Sequence, residues 1–225
     1  MANHLDLEEQ EQLDQLKHFW AQYGNLITWL LIAVLGSFAA WNGYQYWQRS
    51  QASQASTMFD EVERMVRSGD VEKAERAFSD MKERFASTTY TYQAGLLVAK
   101  MSYEAGKADS AKSVLGWVAE KSSDKGYASI ARLRLSGVLM EAKAFDDALK
   151  QLDGDIAPEF LALVMDRRGD IYAAQGKRTE AAAEYQKAFK AFDERSEYRR
   201  LLEVKLNAMG INPAAVGAPA GSPAK

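Results

Sequence analysis

Gly176-Lys177-Arg178-Thr179-Glu180-Ala181, with Tyr185 four residues past the alanine, decides the fold because the block recurs. Gly69-Asp70-Val71-Glu72-Lys73-Ala74 leads to Phe78, and Gly106-Lys107-Ala108-Asp109-Ser110-Ala111 leads to Leu115. Lys143-Ala144-Phe145-Asp146-Asp147-Ala148 leads to Leu152. Each block sets a turn residue, glycine or once lysine, five positions before an alanine. The alanines stand 37, 37 and 33 residues apart. Glycine ends a helix because it adopts the left-handed conformation without steric cost. The small alanine lets the next helix approach closely, and the large side chain one turn later fills the groove between units. Each unit is then a pair of antiparallel helices that cannot bury its apolar face alone, so the pairs must stack.

A period near 34 residues resembles the tetratricopeptide repeat. The last unit fits best, with Gly169 and Tyr172 on its first helix and Ala181, Tyr185 and Ala188 on its second. Val62, Ala99 and Ser136 stand where Gly169 stands, so the other first helices match less well, and the boundaries around Pro158 stay open. For any one unit taken alone, an irregular helical bundle is the alternative. From Gln51 onward the chain is rich in good helix formers, and Pro158 is the only proline before Pro213. The expected fold is all-α, a right-handed solenoid of about four helix pairs over residues 48–211. First helices line the concave side of such arrays. By register with the last unit, Lys100, Tyr103, Leu133, Met140, Asp166 and Asp170 are the candidate groove residues. Residues 212–225, rich in proline, alanine and glycine, cannot bury a core and are expected to be disordered.

Upstream of the repeats, no Asp, Glu, Lys or Arg lies between Lys17 and Arg49. Leu26 to Trp47 reaches the roughly 20 residues a helix needs to cross a bilayer. Tyr23 precedes this run and Trp41, Tyr44, Tyr46 and Trp47 close it, as amphipathic rings do at the headgroup level. Residues 25–47 are therefore expected to span a membrane, with Gly36 as a close-packing point and Trp20, Trp29 and Trp41 as candidate contacts. A cleaved signal peptide ending at Ser37-Phe38-Ala39 is disfavoured by the long acidic region before it (Asp6, Glu8, Glu9, Glu11, Asp14). A buried core helix of a soluble protein rarely runs this far uncharged. Lys17 on one side and Arg49 on the other leave the positive-inside rule undecided, and if anything it leans against an amino terminus in the cytoplasm. In residues 1–24, Leu13, Leu16, Trp20 and Tyr23 form an apolar helical face. Its acidic companions suit a basic protein surface better than anionic lipid, with a solvated lead-in helix as the alternative.

Composition removes most chemistry. The 225 residues carry 28 basic and 31 acidic side chains, a net charge of -3 that gives no reason to expect nucleic acid. There is no cysteine, and the two histidines, His4 and His18, both precede the span. Thiol nucleophiles, disulfides, cysteine-ligated metals and histidine acid–base chemistry in the body are excluded together. No glycine-rich phosphate loop, nucleophile elbow or zinc-protease motif occurs. Adjacent acids such as Asp146-Asp147 and Asp193-Glu194 point apart on a helix and read as solvated turns. No enzyme, cofactor or small-molecule substrate is expected.

Leu16-Lys17, Phe19-Trp20, Tyr23-Gly24, the single anchor and the exit sequence Gly43-Tyr44-Gln45-Tyr46-Trp47-Gln48, followed by the repeats, resemble the YfgM family. The resemblance runs from about Glu9 to Ile211, specific at residues 16–24 and 43–48 and generic over the repeats. It implies a single-pass protein of the bacterial inner membrane, amino terminus cytoplasmic and repeat domain periplasmic. It further implies association with the SecYEG translocon and a PpiD-like periplasmic chaperone, membrane lipid around the span, and no catalytic residues. A cell-envelope scaffold or stress-regulatory adaptor independent of the translocon is the alternative.

Overall fold

The computed structural model describes residues 7–213. The tail expected to be disordered lies outside the described residues from Ala214 onward. Two compact units divide the chain, residues 1–51 and residues 52–225.

The first unit consists of the leading part of α1 (Leu7–Ser68). This helix runs unbroken past residues 24 and 47, so the boundaries drawn there mark changes of chemistry rather than of backbone. The described helix carries its large apolar side chains outward, Trp29 at 66% and Phe38 at 67% exposure. Its few polar groups bond back to their own helix. The Thr28 hydroxyl donates to the Gly24 carbonyl, the Ser37 hydroxyl to Ala33, and the Asn42 amide to Phe38. Such bonds satisfy polar side chains where no water can.

The second unit is helical throughout its described residues. The end of α1 pairs with α2 (Val71–Phe85), and α3 (Thr89–Glu104) pairs with α4 (Ala108–Lys121). α5 (Lys125–Glu141) pairs with α6 (Phe145–Leu152), and α7 (Leu161–Ala174) with α8 (Arg178–Ala191). A single helix, α9 (Tyr198–Ala208), follows. Pro158, where the repeat boundary was open, starts a short 3-10 turn over Pro158–Phe160, and α7 begins directly after it. This is the expected all-α solenoid of four helix pairs.

The turns account for the period. Gly69, Gly106 and Gly176 adopt φ values of 77°, 78° and 76°, and Lys143 takes 59° in the same left-handed region. After each, the next amide donates five residues back: Asp70 to Met65, Lys107 to Ser102, Ala144 to Leu139 and Lys177 to Tyr172. This is the Schellman closure, which satisfies carbonyls a helix end leaves open. A fifth copy, missed in the sequence pattern, sits at Gly210, where φ is 79° and Ile211 donates to Leu206. Ala74, Ala111, Ala148 and Ala181 are fully buried, and Phe78, Leu115, Leu152 and Tyr185 nearly so. Side-chain caps start several helices. Asp70, Thr88 and Asp124 accept from backbone amides of α2, α3 and α5 respectively.

Lys143 is the one turn residue that pays a steric cost for its conformation, since a Cβ is disfavoured in the left-handed region. Replacing Lys143 by glycine is expected to stabilise the chain by about 0.5–1 kcal/mol, and Gly176→Ala to destabilise it by about 1–2 kcal/mol. Urea unfolding of the full chain in detergent, followed by far-ultraviolet circular dichroism, checks both signs.

Candidate functional site

Two surfaces can meet other molecules. Along the uncharged part of α1, Trp29, Ala33, Gly36, Ala40, Gly43 and Trp47 follow one another at steps of four and three, and so share a helix face. The face is a seam of small residues bounded by indoles. A Cβ placed at Gly36 or Gly43 would meet nothing within 4 Å, so the seam is open to a neighbouring helix. Trp41 stands 61% exposed. Trp20 is exposed too, but its indole lies over Gly24, which it buries. Gly36 and Trp29 thus share one face, while Trp20 and Trp41 fall elsewhere on the helix.

The repeat surface is more tightly engaged than its sequence suggests. Of the six groove candidates, Lys100 is exposed, with Glu104 3.7 Å away on the next turn. The Tyr103 hydroxyl donates to Glu141, joining α3 to α5. Leu133 and Met140 are half-buried against a cluster built on Ala148, Leu152, Val164 and Ile171. Asp166 is buried at 3% exposure, and so stands inside the array instead of lining an open groove. α9 covers it: Tyr198 donates to one carboxylate oxygen at 2.6 Å and Lys205 to the other at 2.7 Å. Lys205 also reaches Asp170 at 2.6 Å, and the same Asp170 oxygen accepts from Tyr185 at 2.8 Å. No sequence period announces this cluster, because Tyr198 and Lys205 lie on a helix whose turn at Gly210 was not counted. The spacings that could have revealed it, Asp166 to Asp170 and Tyr198 to Lys205, are ordinary i, i+4 and i, i+7 helix spacings.

A second polar cluster ties the first two pairs together. Ser102 and Ser110 donate to Glu75 at 2.8 and 2.6 Å, with the Lys107 ammonium 3.6 Å away. Burial pushes the Glu75 carboxyl up, but the two hydroxyl bonds and Lys107 outweigh it and leave it below the usual range. Small residues fix the helix spacing. A Cβ on Gly169 would overlap the Tyr185 ring, and one on Gly95 would lie 2.6 Å from Val118. Among the described residues no three carboxylate or imidazole side chains converge as metal ligands would. A shallow cleft at the start of α9 is lined by charged side chains from Glu194 to Glu203.

An uncharged helix with outward apolar side chains, joined to stacked helix pairs closed by left-handed turns, defines a membrane-anchored α-solenoid of the tetratricopeptide type. The tetratricopeptide repeat-like domain family matches residues 17–211, which include the whole span as well as the repeats. A protein of Neisseria gonorrhoeae named ancillary SecYEG translocon subunit is 33% identical over 93% of this chain and 100% of its own length. Proteins of the same name from Haemophilus influenzae and Escherichia coli are 28% and 25% identical, over 89% and 90% of this chain and 97% of their own. The chain belongs to this family, the YfgM family that residues 16–24 and 43–48 resemble.

The α9 cluster has a pH signature. Burial, then the bond to Asp170 and its charge, push the Tyr185 phenol above its ordinary range. Burial, then the bond to Asp166 and its charge, do the same to Tyr198. A phenol that holds its proton more tightly folded than unfolded contributes stability that is complete below about pH 10 and is lost as pH rises further. The unfolding midpoint of the full chain is therefore expected to fall above about pH 10, and to fall less steeply in the double variant Tyr185→Phe, Tyr198→Phe. Thermal melts across that range test the slope.

Proposed function

We propose that the protein is an ancillary, non-catalytic subunit of a SecYEG translocon, holding a PpiD-like periplasmic chaperone beside the channel. The observation that carries this reading is the joining of an open small-residue seam on an apolar helix to an array whose polar clusters serve its own helices. The names of three relatives that align along nearly their whole lengths support the translocon. In this reading the span sits among lipid in the bacterial inner membrane, amino terminus in the cytoplasm and repeats in the periplasm. The family resemblance alone supports that orientation, since Lys17 and Arg49 leave the charge bias undecided or leaning slightly the other way.

Gly36 and Trp29 then pack against a translocon helix, with Trp20 and Trp41 anchoring the ends of the span. Lys100, Tyr103 and Asp170 border the partner-facing side of the repeats, while Leu133, Met140 and Asp166 hold that side in shape.

Isolation of the tagged full chain at native expression from mildly solubilised membranes tests the proposal. Translocon subunits are expected to be recovered with it. Gly36→Leu combined with Gly43→Leu should lower that recovery by at least about fivefold, because close helix approach is lost. The melting temperature of the repeats should stay unchanged. Recovery no better than that of an unrelated single-span protein overturns the reading. Protease protection of the repeats in intact cells, lost in spheroplasts, tests the orientation.

A further inference from the structure

Counted back from the turn residues that end α5 and α7, the positions ten and six residues earlier lie on the side that the following helix of the array covers. In α3 the Leu96 carbonyl, ten residues before Gly106, accepts from Arg134 of α5, whereas Lys100, six before it, stays exposed. In α5 the two positions are Leu133, packed against the cluster of Val164 and Ile171 from α7, and Gly137, over which the Arg167 guanidinium of α7 lies. In α7 they are Asp166 and Asp170, held by Tyr198 and Lys205 of α9. In α9, counted from Gly210, they are Arg200 and Val204. Both are exposed, Val204 at 65%, and Leu201 beside them is 45% exposed. Ala208 extends the same stripe by one turn.

α9 is thus a fifth first helix, complete to its own left-handed glycine, with its covering face open among the described residues. The residues after Pro213 do not supply a fifth pair in sequence. The position nine beyond the turn, filled by Phe78, Leu115, Leu152 and Tyr185 in the four pairs, is here Pro219. A terminal repeat ordinarily turns a polar face to water, whereas α9 turns out Leu201 and Val204. The surface continues the interface that joins α5 to α7 and α7 to α9.

We propose that this edge of α9 is a docking surface for a helix of a partner protein that presents an apolar stripe and a carboxylate opposite Arg200. The chemistry of the occupant follows from the preceding joint. There, two carboxylates on α7 are met by the ammonium and phenol of α9. On α9 an arginine and a valine take those two positions, so the helix that completes the array must carry an acid where Lys205 stands, next to apolar residues for Leu201 and Val204. Arg200 has no ion-pair partner among the described residues, so its charge is available. The stripe is small, and its binding rests on a few central side chains. The inference rests on the reading of the repeats as a partner-holding domain.

The test places a photoreactive residue at Val204 of the full chain in native membranes, with others at Lys190, on the far side of α8, and at Trp41 in the span. Irradiation is expected to give a Val204 adduct that maps to a helix containing Asp or Glu, and no such adduct from Lys190. Arg200→Glu should lower the adduct yield at least about tenfold, and reversing the charge of the mapped carboxylate should restore it. Arg200→Lys should retain most of it. Arg200 and Val204 are exposed, so the melting temperature of these variants should match that of the unaltered chain. Trp41 adducts to the translocon without any Val204 adduct overturn this inference alone, whereas loss of both overturns the translocon reading. The chain has no cysteine, so Val204→Cys reports on self-contact: a disulfide-linked dimer would make the occupant a second copy and overturn the proposal.

Discussion

No helix pair in the repeat domain buries its own apolar face, and the rest of the structure answers that constraint. The buried alanines at 74, 111, 148 and 181 bring each second helix down onto its partner, and Phe78, Leu115, Leu152 and Tyr185 reach into the space between pairs. Removing about 25 cal/mol per Å² of apolar surface from water drives this packing, and only stacking makes the area available. Gly95 and Gly169 mark where the approach is closest, since neither position has room for a Cβ. The left-handed turns follow from the same need. A helix that must reverse within three residues has to close its last carbonyls locally, and the amide hydrogen bond reaching five residues back after each turn does so.

Polar residues inside the array are consistent with that logic. Asp166, Asp170, Tyr185, Tyr198 and Lys205 form one connected set in which both carboxylates are met by donors. A buried acid costs several kcal/mol unless charge and hydrogen bonds offset the loss of water. Lys205 bridges both acids, so the set holds α9 in one register on α7 and α8. The Glu75 cluster does the equivalent service at the other end of the array, drawing α3 and α4 onto α2. Neither set contains a group poised for chemistry on a substrate.

The span obeys a different solvent. Its side chains face outward because lipid, not protein, is their expected surroundings, and its hydroxyls and amide return to the backbone of their own helix. The small-residue seam with a tryptophan at either end combines close helix approach with interfacial anchoring.

Much of this could be read from residue order alone. The period of the glycine–alanine blocks specified helix pairs, their number and their turns, because a left-handed turn and a close approach each admit few residue types. The uncharged run from Leu26 to Trp47 specified a span, because the length of a helix and the thickness of lipid are fixed quantities. Lys143 was legible too, its place in the period overriding its poor preference for that conformation. Burial was not legible. Asp166 reads as a groove residue by register, yet α9 covers it, and Leu133 and Met140 are drawn into the packing of the next pair. Which side of a first helix stays open depends on the helix that arrives after it, some thirty residues later in the chain. Local pattern carries no record of that arrival, so only the folded array decides that, among the described residues, the face of α9 and not the inner face of α7 is left without a cover.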